Sequence, residues 1–165
     1  MTPEEKLTEW ISRWGSDVLR LCRSQLHDAQ LAEDAAQETL VKAWQAAPRF
    51  HPADEAHERA WLMRIALHAC RDIQRSRWWR HEDRRVSPED VPRERTDEEA
   101  ERRELLMMVE ALPDSLRLPL MLHHLTGLTL TETALALHVS RPTLNSRLRK
   151  AYRKLAIEWE GGEEE

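Results

Sequence analysis

Apolar residues recur every three or four positions along most of this 165-residue chain, the spacing that lines one face of an α-helix. Over residues 4–26 the series is Trp10, Trp14, Val18, Leu21 and Cys22. Asp28 precedes a second helical run in which Leu31, Ala35, Leu40, Ala43, Trp44 and Ala47 form the apolar face. Pro48 and Pro52 bracket the stretch PRFHP and predict a break,. A long helix is expected from about 54 to 80, with Leu62, Ile65, Ala66, Ala69 and Ile73 turned inward. The segment HEDRRVSPEDVPRERTDEE holds Pro88, Pro92 and dense charge but almost nothing apolar, and reads as a linker,. Helical spacing resumes over about 97–112, and Pro113-Asp114 starts the next helix. Pro119 falls inside that helix and is expected to kink it or delay its start,.

The last 50 residues carry a sharper local pattern. Thr129 and Glu132 form a T-x-x-E capping box, in which side chain and backbone satisfy each other at a helix start,. The short helix ends at Leu137-His138-Val139. Ser140 can cap a second helix, and Pro142 lies in its first turn, where a missing N–H costs little,. That helix turns Leu144, Leu148, Ala151 and Leu155 inward and Thr143, Ser146, Arg149, Lys150 and Arg153 outward. Short helix, tight turn and second helix with a cationic outer face describe a helix-turn-helix, whose second helix enters the DNA major groove.

Four glycines and one phenylalanine argue against a sheet protein, so the composition agrees with an all-α chain,. The net charge of -5 conceals two basic stripes. Residues 59–80 carry Arg59, Arg64, Arg71, Arg75, Arg77 and Arg80 against Asp72 alone, and residues 141–154 carry six cations and no acid. Between them, residues 83–112 hold ten acids and six arginines, and the end, EGGEEE, is acidic again. A polyanion partner is signalled by local stripes, not by the mean. Within 54–80, Arg64, His68, Arg71, Arg75 and Trp78 fall on one face, and cations beside the Trp78-Trp79 pair suit unpaired bases,.

Other chemistry finds little support. His123 and His124 are adjacent, so on a helix they point about 100° apart and make a poor metal pair,. Cys22 and Cys70 exclude a disulfide scaffold and read as small core residues, with a redox switch as the alternative,. No glycine-rich phosphate loop, nucleophile motif or acid–base pair stands out, so no catalytic site and no cofactor are expected,. The N-terminus shows no secretory signal and no stretch reaches the length of a membrane span, so a cytoplasmic protein without membrane insertion is expected,.

These segments together resemble one family. LAEDAAQETLVKAW is similar to region 2 of sigma-70 family transcription initiation factors, and AWLMRIALHACRDIQR to the promoter-melting helix that follows it. The stretch from LPDSLRLPL to RKAYRKL resembles region 4, with Ser140, Thr143, Ser146, Arg147 and Leu148 matching S-x-x-T-x-x-S-R-L. The spacing fits the compact extracytoplasmic-function (ECF) group. His68 stands where the family usually has asparagine, His138 where a turn glycine is common, and Arg141-Pro142 where Val-Gly is commoner. A residue at 138 is therefore expected to need a positive φ.

The resemblance implies an all-α fold of two small helical domains, a region 2 bundle over 1–82 and a region 4 helix-turn-helix over 104–160. A flexible acidic linker, 83–103, joins them, and 161–165 is an acidic tail. It implies binding to the RNA polymerase core through Asp34, Gln37, Glu38, Val41 and Gln45, on the face opposite Leu40, Ala43 and Trp44. Phe50, His51, Arg64, His68, Arg71 and Arg75 would read the minus-ten promoter element and its single-stranded non-template strand, the loop running on through 53–57. Arg141, Thr143, Ser146, Arg147, Arg149, Lys150 and Arg153 would read the minus-thirty-five element as duplex DNA. A cognate anti-sigma factor is common in the family. The alternatives are a stand-alone helix-turn-helix regulator and a helical adaptor that never touches DNA.

Overall fold

Thr2 starts the first helix by accepting a hydrogen bond from the Glu5 amide while the Glu5 carboxylate accepts from its own, and Pro3 occupies the first turn. The structure, a computed structural model, describes residues 1–78 and 96–155, the side chains of Arg77 and Trp78 excepted. Helix α1 (Pro3–Leu26) ends at His27, whose left-handed backbone (φ 51°) reverses the chain. Asp28 then caps α2 (Ala29–Ala46), accepting from the Leu31 amide at 3.0 Å.

Helix α2 buries a row of small side chains, Ala32, Ala35, Thr39 and Ala43. Thr39 hides its hydroxyl by donating to the Ala35 carbonyl at 2.7 Å. Such a row lets α1 and α3 approach closely, and an indole has no room there. Trp44 accordingly lies outside the core, 37% exposed, which corrects its expected place on the apolar face.

A 3-10 turn (Ala47–Arg49) follows, and α3 spans Glu55–Trp78. Asp54 caps it through the His57 amide at 2.9 Å, so residues 55–57 belong to the helix and the loop is shorter than expected. Trp79 and Arg80 lie outside the described residues, and with them the stacking role considered for the Trp78-Trp79 pair.

Thr96 caps α4 (Asp97–Glu110), so helix already occupies 97–103, the end of the stretch assigned to the linker. None of its residues is buried, and Leu106 and Met107 are 52% and 65% exposed. Helix α5 (Asp114–Thr126) starts after Pro113 and contains Pro119, so of the two expected effects the delayed start does not occur. Gly127 closes it at φ 70°. Then come α6 (Leu130–Leu137) and α7 (Arg141–Lys154).

Two cores result. One gathers Trp10, Val18, Leu21, Leu31, Leu62 and Met63 from α1 to α3, and takes in Leu118, Leu122, Leu128 and Ala136 from the α5–α6 region. The other packs Leu112, Leu116, Leu120, Leu130, Leu144, Leu148 and Tyr152. Helices α5 and α6 therefore serve both, and the two halves are docked face to face, an arrangement not foreseen from the sequence.

Candidate nucleic-acid and polymerase interfaces

The geometry of α6 and α7 is fixed by its caps. Thr129 and Glu132 exchange hydrogen bonds at 2.9 and 3.0 Å, as the T-x-x-E spacing requires. The turn passes through His138 at φ 54°, the left-handed backbone expected where glycine is common. Ser140 accepts from the Thr143 amide and Pro142 sits in the first turn of α7. With Leu144, Leu148 and Ala151 fully buried, α7 presents Thr143, Ser146, Arg149, Lys150 and Arg153 outward. Arg147 is half-buried. Arg141 turns back and donates to the Thr131 hydroxyl of α6 at 2.9 Å, so it is not on the outer face with the others.

The loop before α3 is anchored by an aromatic stack. Phe50 lies 3.8 Å from Trp61, ring planes within 10°, and Trp61 tilts against buried Trp10 at 5.6 Å. His51 is exposed. Beside the stack a groove of about 560 Å³ runs between α2 and α3, lined by Lys42, Ala46, Trp61, Ile65, His68, Arg71, Asp72 and Arg75. Three of the expected minus-ten residues, His68, Arg71 and Arg75, thus share one wall. Arg64 does not join them: it is half-buried and donates to the Ala136 carbonyl at 3.3 Å, a correction to its expected place on that open face. Partial burial, then the charges of Arg64 and Arg71, hold the His68 imidazole below its ordinary pKa and favour its neutral form,. Sequence reasoning missed Trp61 and Lys42. Both sit inside ordinary helical spacing, and only the fold turns them into one groove.

On α2, Asp34, Gln37, Glu38, Val41 and Gln45 are all exposed, and Trp44 extends this face. Lys42 lies between Glu38 (3.7 Å) and Asp72 of α3 (3.6 Å), bracing its edge. The two cysteines are free and buried; the hydrogen bond to Cys70, with burial, raises the Cys22 thiol far above its ordinary pKa. A thiol held protonated is a poor nucleophile, which weighs against the redox alternative.

A helix-turn-helix with a cationic outer face and a cationic, ring-lined groove on one chain are the features of a nucleic-acid-binding protein,. Residues 10–80 match sigma-70 region 2 and residues 102–155 match sigma-70, region 4. Over 155 residues the chain is 31% identical to the RNA polymerase sigma-H factor of Pseudomonas aeruginosa, covering 86% of this chain and 79% of that one. It is 29% identical over 155 residues to the RNA polymerase sigma factor NccH of Alcaligenes xylosoxydans xylosoxydans, covering 88% and 82%. Its fold is shared by CnrH, solved in complex with the cytosolic domain of CnrY (TM-score 0.69, 24% identity, 93% of this chain and 86% of that chain). It is also shared by the sigma factor RpoE of Bartonella quintana, solved with the anti-sigma factor NepR (TM-score 0.70, 18% identity, 92% and 94%). The chain belongs to the sigma-70 family, in its extracytoplasmic-function group. It is a sigma factor: its partners are the RNA polymerase core and promoter DNA, and the stand-alone regulator and the adaptor fall away.

Proposed function

We propose a division of labour among the three surfaces. Helix α7 reads the minus-thirty-five element as duplex DNA, with Thr143 and Ser146 toward base edges and Arg149, Lys150 and Arg153 toward phosphates. The loop at 50–54 and the α2–α3 groove hold the minus-ten element, a freed base meeting the loop while His68, Arg71 and Arg75 line the strand's path. The exposed row Asp34, Gln37, Glu38, Val41 and Gln45 docks on the polymerase core. Region 2 takes 1–82, region 4 takes 104–160, and 83–103 and 161–165 serve as linker and tail.

The observation that carries this reading is the outer face of α7, polar, cationic and exposed, with the turn from α6 fixed by the left-handed His138 and the Ser140 cap. The chain works in the cytoplasm, where core polymerase is, and catalyses nothing itself; among the described residues no helix is long and apolar enough to cross a membrane. Its regulator is an anti-sigma protein, as NepR is for the RpoE structure.

Run-off transcription with core polymerase and a promoter library tests the reading. The chain should direct transcripts from a restricted promoter set. Gln37→Ala with Glu38→Lys should weaken core binding while helicity stays normal, since both side chains are exposed and the second change reverses a charge. Unchanged core affinity would remove docking from this face.

A further inference from the structure

Helix α7 leaves its charges unanswered. Arg149, Lys150, Arg153 and Lys154 are all exposed, and the helix holds no acid of its own. None of the four forms an ion pair among the described residues. Cations of other helices are paired: Lys6 meets Glu58, Arg20 meets Asp17, Lys42 meets Glu38 and Asp72, and Arg117 meets Asp114. On α7, Arg149 with Arg153 and Lys150 with Lys154 are instead like charges four residues apart, a spacing at which they repel,. An anion lodged among them relieves that repulsion.

The sequence supplies such an anion within reach. Residues 156–165, AIEWEGGEEE, follow directly on α7 and carry Glu158, Glu160, Glu163, Glu164 and Glu165 with no cation. Arg149 lies only about 9 Å back along the helix axis from Leu155. Glu163 lies eight residues beyond Leu155, a span of at most about 29 Å. The acids therefore reach all four cations with chain to spare. Gly161-Gly162 stand just before the triple Glu, where a reversing chain needs residues free to take either sign of φ,. So short a tether gives an effective concentration of about millimolar. An exposed ion pair is weak singly, so occupancy comes from several acids acting together.

We propose that the acidic segment 158–165 docks on the outer face of α7 and competes there with DNA phosphates. The inference rests on the assignment of α7 as the duplex reader made above. Carboxylate and phosphate oxygens are alike in charge and in accepting hydrogen bonds, so the same guanidinium and ammonium groups receive either. The segment lowers affinity for every duplex by one factor, which holds α7 off the mass of DNA that it would meet through phosphates alone.

The test uses the full chain, a variant combining Glu163→Gln, Glu164→Gln and Glu165→Gln, and a mixed-sequence duplex as the probe. A zero-length carbodiimide cross-linker joins an ammonium group to a carboxylate only where the two touch. It should link Lys150 to the 163–165 stretch in wild type, and excess duplex should abolish the link. At low salt the variant should bind the duplex about fivefold more tightly, the factor expected where about four chains in five hold the segment docked. The gain should shrink toward nothing as salt rises and screens the docked pairs. A control combining Glu98→Gln, Glu101→Gln and Glu104→Gln, at exposed positions of α4, removes the same charge and should give no such gain. Equal gains from both triple variants would reduce the effect to net charge and overturn docking, and so would the absence of the cross-link. A cross-link that persists in excess duplex would overturn the competition. If the cross-link forms but neither wild type nor variant binds duplex, α7 is not the duplex reader, and the competition falls with that assignment.

Discussion

The indole nitrogen of Trp10 donates to Glu58 at 2.7 Å across the buried junction of α1 and α3. Lys6 meets the same carboxylate oxygen at 2.9 Å, so a nearly buried charge is both paired and hydrogen-bonded. The Trp10 ring also leans on Trp61, which carries Phe50. A single buried site thus supports the wall of the groove and the loop beside it.

Trp10→Phe keeps much of the apolar contact but removes the donor, leaving Glu58 to Lys6 alone. It should cost about 1–3 kcal/mol, the penalty of an under-satisfied buried group. For a chain of this size each kcal/mol lowers the melting temperature by about 2–4 °C. Thermal unfolding followed by circular dichroism checks it, and a melting point equal to wild type would show that the bond contributes nothing net.

Base and phosphate contacts on α7 should separate by their sequence dependence. Lys150→Ala should weaken binding to all promoters alike and reduce the salt slope by about one unit. Ser146→Ala or Thr143→Ala should change which sequences are preferred, each lost base contact costing about 1–3 kcal/mol. Anisotropy titrations on variant duplexes at several salt concentrations measure both. The opposite pattern would mean that α7 lies in the groove in another orientation.

Phe50 couples the loop to α3, so Phe50→Ala should loosen the loop without unfolding the helices. Extruding a base costs a few kcal/mol, which contacts to the freed base must recover. The variant should therefore fail on closed duplex promoters far more than on promoters with a pre-melted bubble. A fluorescent base analogue in the non-template strand should brighten with wild type and stay dim with the variant. Equal defects on both templates would place strand opening elsewhere.

Acid should weaken the α5–α7 packing through His124. Burial, then the charge of neighbouring His123, holds its pKa below the ordinary histidine value, and its ring meets the Tyr152 hydroxyl. Above a pH of about 6.5 folded and unfolded chains are both neutral at this site and its full contribution is present. As the pH falls further, the unfolded chain takes up a proton that the folded chain resists, so stability declines until the folded pKa is passed. His124→Gln should flatten part of this slope in urea titrations at pH 5 to 7.5.

The local structure was legible wherever one residue sets one backbone group. Asp28, Thr129 with Glu132 and Ser140 follow from short-range rules and are found, and the left-handed turn at His138, expected from the family resemblance, is found with them. Trp44 was misplaced because helical spacing cannot say how closely two neighbours approach α2. The docking of the halves left no readable mark. Leu122 and Leu128 look like ordinary region 4 core residues, and the acceptors of Arg59 and Arg64 include backbone carbonyls, which every residue possesses. Of the site, the outer faces of α7 and α2 could be read directly. The groove at Trp61 required the third dimension.

The apolar part of the contact between halves, centred on Leu118, Leu122, Leu128 and Ala136, also makes temperature a control variable. Burial of this kind is driven near room temperature by water entropy and weakens on cooling. Arg59 of α3 pairs there with Glu132 of α6 at 3.6 Å, and the cost of desolvating these groups falls as temperature rises,. Both trends act in the same direction, tightening this contact with warmth and loosening it in the cold.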